Sequence, residues 1–167
     1  MTLVVLSRRN LLVVGGSVLA SGVLAAGTSS LLLPARADGL APTESMTGGA
    51  NNYRKGAPVM ERIGKGGFWM SGTVRRAGDG APLAGQRIQI WAHTVEGQEH
   101  EPQSHGATLT DKDGKFRLEI PQIIPVFGQP HGHLAYDSGE FKTVFLRPVM
   151  RSAKETSLEA HFVLQPA

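Results

Sequence analysis

From Phe68 onward the chain is a succession of short alternating segments ended by Gly, Pro, Asn or Asp, and none carries the period of a strong amphipathic helix. Segments of this kind bury their apolar residues by stacking one sheet on another. The first is Phe68-Trp69-Met70-Ser71-Gly72-Thr73-Val74, followed by the polar turn Arg76-Ala77-Gly78-Asp79-Gly80. In the second, Arg87 to Trp91, Ile88 and Ile90 share one face while Arg87, Gln89 and Trp91 share the other. A polar loop from His93 to Gly106 comes next. Ala107–Thr110 and Lys115–Ile120 then flank Asp111-Lys112-Asp113-Gly114. Asp-Gly there predicts a hairpin, because Gly supplies the positive φ of a tight turn. His131–Tyr136, Lys142–Leu146 and Leu158–Leu164 complete the set. The expectation is an all-β sandwich of roughly seven to nine strands.

What precedes Gly67 is of a different kind. Arg8-Arg9 stands before an apolar, small-residue run from Leu11 to Leu33, and Ala35-Arg36-Ala37 follows in the small-x-small arrangement of a signal-peptidase site. Residues 1–37 therefore read as a twin-arginine signal peptide cleaved after Ala37, with periplasmic or secreted destination and no membrane attachment after cleavage; the alternative is retention as an uncleaved anchor. Residues 38–66, broken by Gly-Gly, Asn-Asn and scattered Pro, read as an irregular arm, and 67–167 as the sandwich domain. Three of the 17 basic residues and none of the 14 acidic ones fall in the signal, so the remainder is formally neutral. The basic isoelectric point belongs to the address and is no argument for nucleic-acid binding. Cysteine is absent, which removes disulfides and thiolate ligands together.

Chemistry concentrates at Pro130-His131-Gly132-His133. Two imidazoles two residues apart on a strand face the same way and come within reach of one metal ion, the alternative being a pair of surface or hydrogen-bonded histidines. A pair leaves a metal under-coordinated, and the His93–Gly106 loop offers further donors: His93, Glu99, His100, Glu101 and His105. Of these Glu99, His100 and His105 are the expected additional ligands. A His/His/carboxylate or three-His set favours Fe(II), Zn(II), Mn(II) or Cu(II) over Fe(III). His161, on the last strand, is expected to be half-buried and without a ligand role. None of Ser71, Ser104, Ser138, Ser152 or Ser157 stands in a nucleophile elbow, and the Gly-rich stretches lead into no helix that would cradle a phosphate.

Gly72-Thr73-Val74, Ala81-Pro82-Leu83-Ala84-Gly85 leading into Arg87–Trp91, Thr110-Asp111-Lys112-Asp113-Gly114-Lys115-Phe116 and Pro130-His131-Gly132-His133 occur in an order that resembles the intradiol ring-cleavage dioxygenases. The resemblance spans roughly residues 68–148 and implies a prealbumin-like, intradiol-dioxygenase-like β-sandwich. It also implies non-haem iron, a catechol-like aromatic substrate and His131 and His133 as metal ligands. That family holds ferric iron with two tyrosinates and two histidines. Here Gly97-Gln98-Glu99 puts Glu99 where the first tyrosine is expected, and Pro125-Val126-Phe127 offers no phenol in place of the second. Gln129 stands where a substrate-facing Arg often precedes the histidines, and Trp91 and Phe127 are expected to wall the cavity. Two functions follow: an exported metal-dependent oxygenase with a rearranged ligand set, or a non-enzymatic sandwich that binds a metal, an aromatic or a protein partner.

The twin-arginine reading has a direct test. Replacing Arg8 and Arg9 by Lys blocks export, as followed by fractionation of cells, because the transport receptor reads the arginine pair. Unchanged export of the double variant contradicts it.

Overall fold

A computed structural model describes residues 39–126 and 128–167. Among them are seven strands: β1 (Gly67–Arg76), β2 (Arg87–Ala92), β3 (His105–Leu109), β4 (Lys115–Pro121), β5 (Gly132–Tyr136), β6 (Val144–Leu146) and β7 (Ser157–Leu164). They form two sheets, one ordered β4-β1-β7 and the other β3-β2-β5-β6. Pairing is antiparallel except between β1 and β7. Beyond one short 3-10 turn, Pro102–Ser104, the described residues contain no helix. The fold is an all-β sandwich of two sheets.

Alternation along each strand builds the core. Phe68, Met70 and Val74 of β1, Phe116, Leu118 and Ile120 of β4, and Phe162 and Leu164 of β7 face Ile88, Ile90, Leu134, Tyr136, Val144 and Leu146 of the other sheet. Gly72 lies in the same inward row and is a packing requirement. A Cβ placed there would stand 1.6 Å from the Ala160 carbonyl oxygen of the paired strand β7.

Two expectations about the strands are corrected. Asp111–Gly114 makes the expected local turn: Asp111 N–H donates to the Lys115 carbonyl at 2.8 Å, and Gly114 has φ of 72°. It is nevertheless not a hairpin. β3 pairs with β2 and β4 with β1, so the turn carries the chain from one sheet to the other. The Thr110 hydroxyl ties the end of β3 toward β2, donating to Leu83 at 2.6 Å and accepting from Gln86 N–H at 2.8 Å. Val74 N–H draws Gly114 to β1 at 2.7 Å. The second correction lengthens β3. It starts at His105, opposite Trp91, so the polar loop is shorter than its composition indicates.

The outer faces of the two sheets differ. That of β4-β1-β7 is open, with Trp69 39% exposed beneath the Arg117 guanidinium, 5.2 Å from the ring. His161 lies there too, bonded to the Thr73 hydroxyl at 3.0 Å, and is exposed, not half-buried. The outer face of β3-β2-β5-β6 is covered by residues 45–60, which contain no strand or helix of their own. Met46 N–H donates to Phe145, Met60 N–H to Ala107, and Ala107 N–H to Pro58, so this covering segment follows the edges of the sheet. The polar residues of β2 hold it down. Gln89 Nε2 donates to the Arg54 carbonyl at 2.7 Å, Trp91 Nε1 to the Asn51 carbonyl at 2.9 Å, and Arg87 to the Ala57 carbonyl. That is why Gln89 and Trp91, on the side expected to face away from the core, are wholly buried.

The close approach at Gly72 is testable. Gly72→Ala forces β7 away from β1 and lowers unfolding free energy by about 3 kcal/mol in urea titration, at the upper end of ordinary overpacking costs.

Candidate metal centre

Register places the centre. In the rows of β3-β2-β5, His105, Trp91 and His133 are direct cross-strand neighbours on the outer face. Trp91 is therefore a wedge. Its indole stacks on His105 at 5.5 Å and on His133 at 5.1 Å, each within 10° of parallel. The next row is Ala107, Gln89 and Ala135, and its small flanking side chains let the covering segment approach closely. His131 sits just before β5, in an isolated bridge to Val149, with its ring 5.0 Å from that of His133. Glu99 enters from the loop between β2 and β3. Its Oε2 lies 3.3 Å from His133 Nε2 and 3.7 Å from His131 Nε2. One donor atom from each of Glu99, His131 and His133 falls within 4.8 Å of the others.

Hydrogen bonds set the tautomers. A carbonyl oxygen only accepts, so His133 Nδ1 carries its proton, given to Gly49 at 3.0 Å. The lone pair of His133 Nε2 then points toward Glu99, buried and without a hydrogen-bond partner. His131 Nδ1–H likewise donates to the Gln129 carbonyl at 2.9 Å, which leaves its Nε2 lone pair free. The Arg147 guanidinium, itself only a donor, lies 3.3 Å from the same Nδ1; with the proton on Nδ1 for the shorter Gln129 contact it makes no hydrogen bond there and brings a positive charge to the rim. Glu99 is steadied on its other oxygen, where Oε1 accepts from Asn52 Nδ2 at 2.7 Å. Three lone-pair donors converging with their far sides pinned are the arrangement of a metal site whose ligands are oriented from behind.

The remaining expected residues fall elsewhere. His105 is committed on both nitrogens: Nε2–H donates to the Glu99 carbonyl at 2.9 Å, and Nδ1 faces Gln89 Nε2 at 3.4 Å. It supports the backbone of Glu99 and does not join the cluster. His100 is exposed and contributes only its carbonyl, to Arg54 at 3.2 Å. Glu101 accepts from Gln98 N–H at 2.8 Å. Trp91 is fully buried between two imidazoles, so it braces a ligand and does not wall an open cavity. Gln129 meets the site through its carbonyl. Phe127 lies outside the described residues.

Neither tyrosine supplies a phenolate. Tyr136 alternates with His133 and so faces the core, where it is fully buried. Tyr53 donates its hydroxyl to Asp137, and its ring packs edge-on against Phe145. Burial, then the Asp137 carboxylate, push its pKa up to about 12, the opposite of what a tyrosinate ligand requires. The chain has no other tyrosine, so a ferric bis-tyrosinate set does not fit these residues. A divalent ion on two imidazoles and a carboxylate does.

Sequence reasoning missed Gly49 and Asn52, which bond two of the three candidate ligands, His133 and Glu99, from the covering segment. The signal was present in Gly48, Gly49, Asn51 and Asn52, residues that tolerate left-handed backbone and let a chain turn sharply against a surface.

No protein-family model and no curated protein sequence matches the chain. Solved structures do match in fold. The hydroxyquinol 1,2-dioxygenase of Pseudomonas putida DLL-E4 aligns over 77% of this chain and 68% of its own, with TM-score 0.58 and 13% identity. The 3-chlorocatechol 1,2-dioxygenase of Rhodococcus opacus 1CP aligns over 78% and 74%, with TM-score 0.58 and 15% identity. The dioxygenase domain of a dioxygenase carbohydrate-binding protein fusion from Streptomyces sp. SirexAA-E aligns over 76% and 99%, with TM-score 0.57 and 15% identity. The architecture is thus similar to that of intradiol dioxygenases.

Acid sensitivity follows from the buried rings. Burial, ahead of every other influence, holds the pKa values of His133 and His105 below the ordinary imidazole value. Below about pH 6.5 the unfolded chain therefore binds protons that the folded one refuses, and stability is lost as pH falls. In chelator, the urea midpoint drops on acidification from about pH 7.5 to about pH 5.5, and His105→Gln flattens that slope. A slope equal to that of the unaltered protein contradicts the assignment.

Proposed function

We propose that the protein is an exported, metal-dependent oxygenase-type protein in which Glu99, His131 and His133 hold one divalent ion for a catechol-like aromatic substrate. One observation carries the metal: the buried, unpartnered Nε2 lone pair of His133 faces the Glu99 carboxylate 3.3 Å away. Two acceptors at that distance repel unless a cation lies between them, and burial disfavours a proton on the ring as that cation. The donor set suits non-haem Fe(II), with Zn(II), Mn(II) and Cu(II) as chemical competitors.

A bound ion supplies Lewis acidity and, if iron, redox chemistry at positions the protein leaves open. The chain's own residues hold and orient. His133, sealed between Trp91 and the Gly49 carbonyl, is the rigid ligand. His131 and Glu99 are partly exposed and border the entrance. Arg147 beside His131 attracts an anionic oxygen ligand such as an ionised diol. The aromatic substrate class is supported by two similar structures that are, by name, dioxygenases of hydroxyquinol and 3-chlorocatechol. Export is supported by Arg8-Arg9 and Ala35-Arg36-Ala37.

The loss of both phenolates from the centre favours a second reading, a non-catalytic metal-binding module on the same scaffold. Metal analysis and turnover separate the two. The unaltered protein binds one equivalent of divalent metal and lacks the wine-red charge-transfer colour of a ferric tyrosinate. His131→Ala abolishes stoichiometric binding, whereas His161→Ala, on the opposite outer face, leaves it intact. Catechol, protocatechuate and hydroxyquinol are then offered under oxygen to the Fe(II)-loaded protein. Ring-opened product supports the oxygenase, its absence with all three favours the binding module, and retention of metal by His131→Ala defeats both.

A further inference from the structure

The covering segment contributes more to the centre than shelter. Asn52 is the one non-glycine residue among those described with a positive φ, 56°. Left-handed backbone is unfavourable for most side chains and best tolerated by Gly and Asn. The conformation has a local consequence. It separates Asn51, whose carbonyl takes the Trp91 indole N–H, from Tyr53, whose ring packs on Phe145. Between these two anchors the Asn52 side chain reaches Glu99, 47 positions away, and donates from Nδ2 to Oε1 at 2.7 Å. Glu99 Oε1 is thereby occupied, while Oε2 is the oxygen turned toward His133 and His131. A hydrogen-bond donor is required for this, and the Asn52 amide supplies it. A carboxylate or an aliphatic side chain at position 52 cannot donate a hydrogen bond to Glu99 at neutral pH.

Resting on the metal-centre reading above, we propose that Asn52 is a positioning residue for the metal: it holds Glu99 Oε1 so that the carboxylate presents Oε2 alone, as a single-oxygen ligand. The sequence separation explains why the residue must come from the covering segment. The Glu99 loop has its own backbone held by His105 and by the Gln98–Glu101 turn, but neither touches its carboxylate. Glu99 is partly exposed, so without Asn52 its side chain is free to rotate into solvent or to chelate with both oxygens. Removing a hydrogen-bond partner that orients a metal ligand typically costs about 10- to 100-fold in affinity.

The test compares the unaltered protein, Asn52→Gly, Asn52→Asp and Asn51→Ala by titration with Zn(II) and Co(II) and by the Co(II) ligand-field spectrum. Asn52→Gly keeps the backbone conformation without strain and deletes the amide. Asn52→Asp keeps a side chain that tolerates the turn but cannot donate to Glu99. Both lower metal affinity by about tenfold or more and shift the Co(II) bands, while chelator-treated Asn52→Gly unfolds at the midpoint of the unaltered protein or above it. Asn51→Ala, which changes the same turn but spares the carbonyl bonded to Trp91, retains affinity and spectrum. A smaller loss in either Asn52 variant, unshifted bands, or an equal loss in Asn51→Ala overturns the assignment and leaves the metal centre standing. Failure of the unaltered protein to bind either ion overturns the metal centre and the role of Asn52 with it.

Discussion

The hydrogen bond from His133 Nδ1 to the Gly49 carbonyl joins two parts of the chain that sequence keeps 84 positions apart, and the candidate centre depends on it. It buries an imidazole that would otherwise face water, fixes its tautomer and aims the remaining lone pair at Glu99. Gly49 can serve because it lacks a side chain. A Cβ there would meet the Phe145 carbonyl at 2.8 Å, so anything larger lifts the segment off the sheet. The same seating brings the Asn51 carbonyl over Trp91 and the Asn52 amide to Glu99. One turn therefore bonds both the sheet-borne and the loop-borne candidate ligand.

A second consequence concerns the way β2 is used. Its inward residues, Ile88 and Ile90, build the sandwich, and its outward residues, Arg87, Gln89 and Trp91, hold the covering segment, with Trp91 also stacked on His133. Arg87 pairs with Asp137 at 3.3 Å, and Asp137 in turn takes the Tyr53 hydroxyl. A tyrosine close enough to pack against Trp91 is thus drawn to a carboxylate, away from any metal. With Tyr136 pointing into the core, the scaffold is similar in fold to the intradiol enzymes while no tyrosine joins the Glu99, His131 and His133 cluster. Two neutral imidazoles and one carboxylate carry a single negative charge, which balances a divalent ion better than a trivalent one.

Much of the architecture was legible in the sequence because strand alternation and turn chemistry are local. Phe68 to Val74, Arg87 to Trp91 and Leu158 to Leu164 each declare a strand by period, and Gly114 declares a turn by its freedom at positive φ. What the turn connects was not local. Asp111–Gly114 has hairpin residues, yet its flanking strands leave for different sheets, because Thr110 bonds toward β2 and Gly114 toward β1. The start of β3 at His105 was equally hidden, since pairing with Trp91 recruits a residue that composition assigns to a polar loop.

At the centre the division is sharper. Sequence alone indicated that His131 and His133 share a face, through the period of two, and offered the carboxylates and imidazoles of the His93–Gly106 loop as candidates to complete a metal set. It also showed that neither position where the resemblance expects a tyrosine carries one, Glu99 and Phe127 standing there instead. Only the tertiary structure decided among Glu99, His100 and His105, because the choice turns on what each polar atom already bonds. His105 is committed to the Glu99 carbonyl, His100 is turned to solvent, and Glu99 retains a free oxygen. Tertiary structure alone also made ligand supports of Gly49 and Asn52, since no spacing rule links them to His133 and Glu99. Those pairings arise from the burial of one sheet face under a distant segment, and long-range contact of that kind leaves no periodic trace in a sequence.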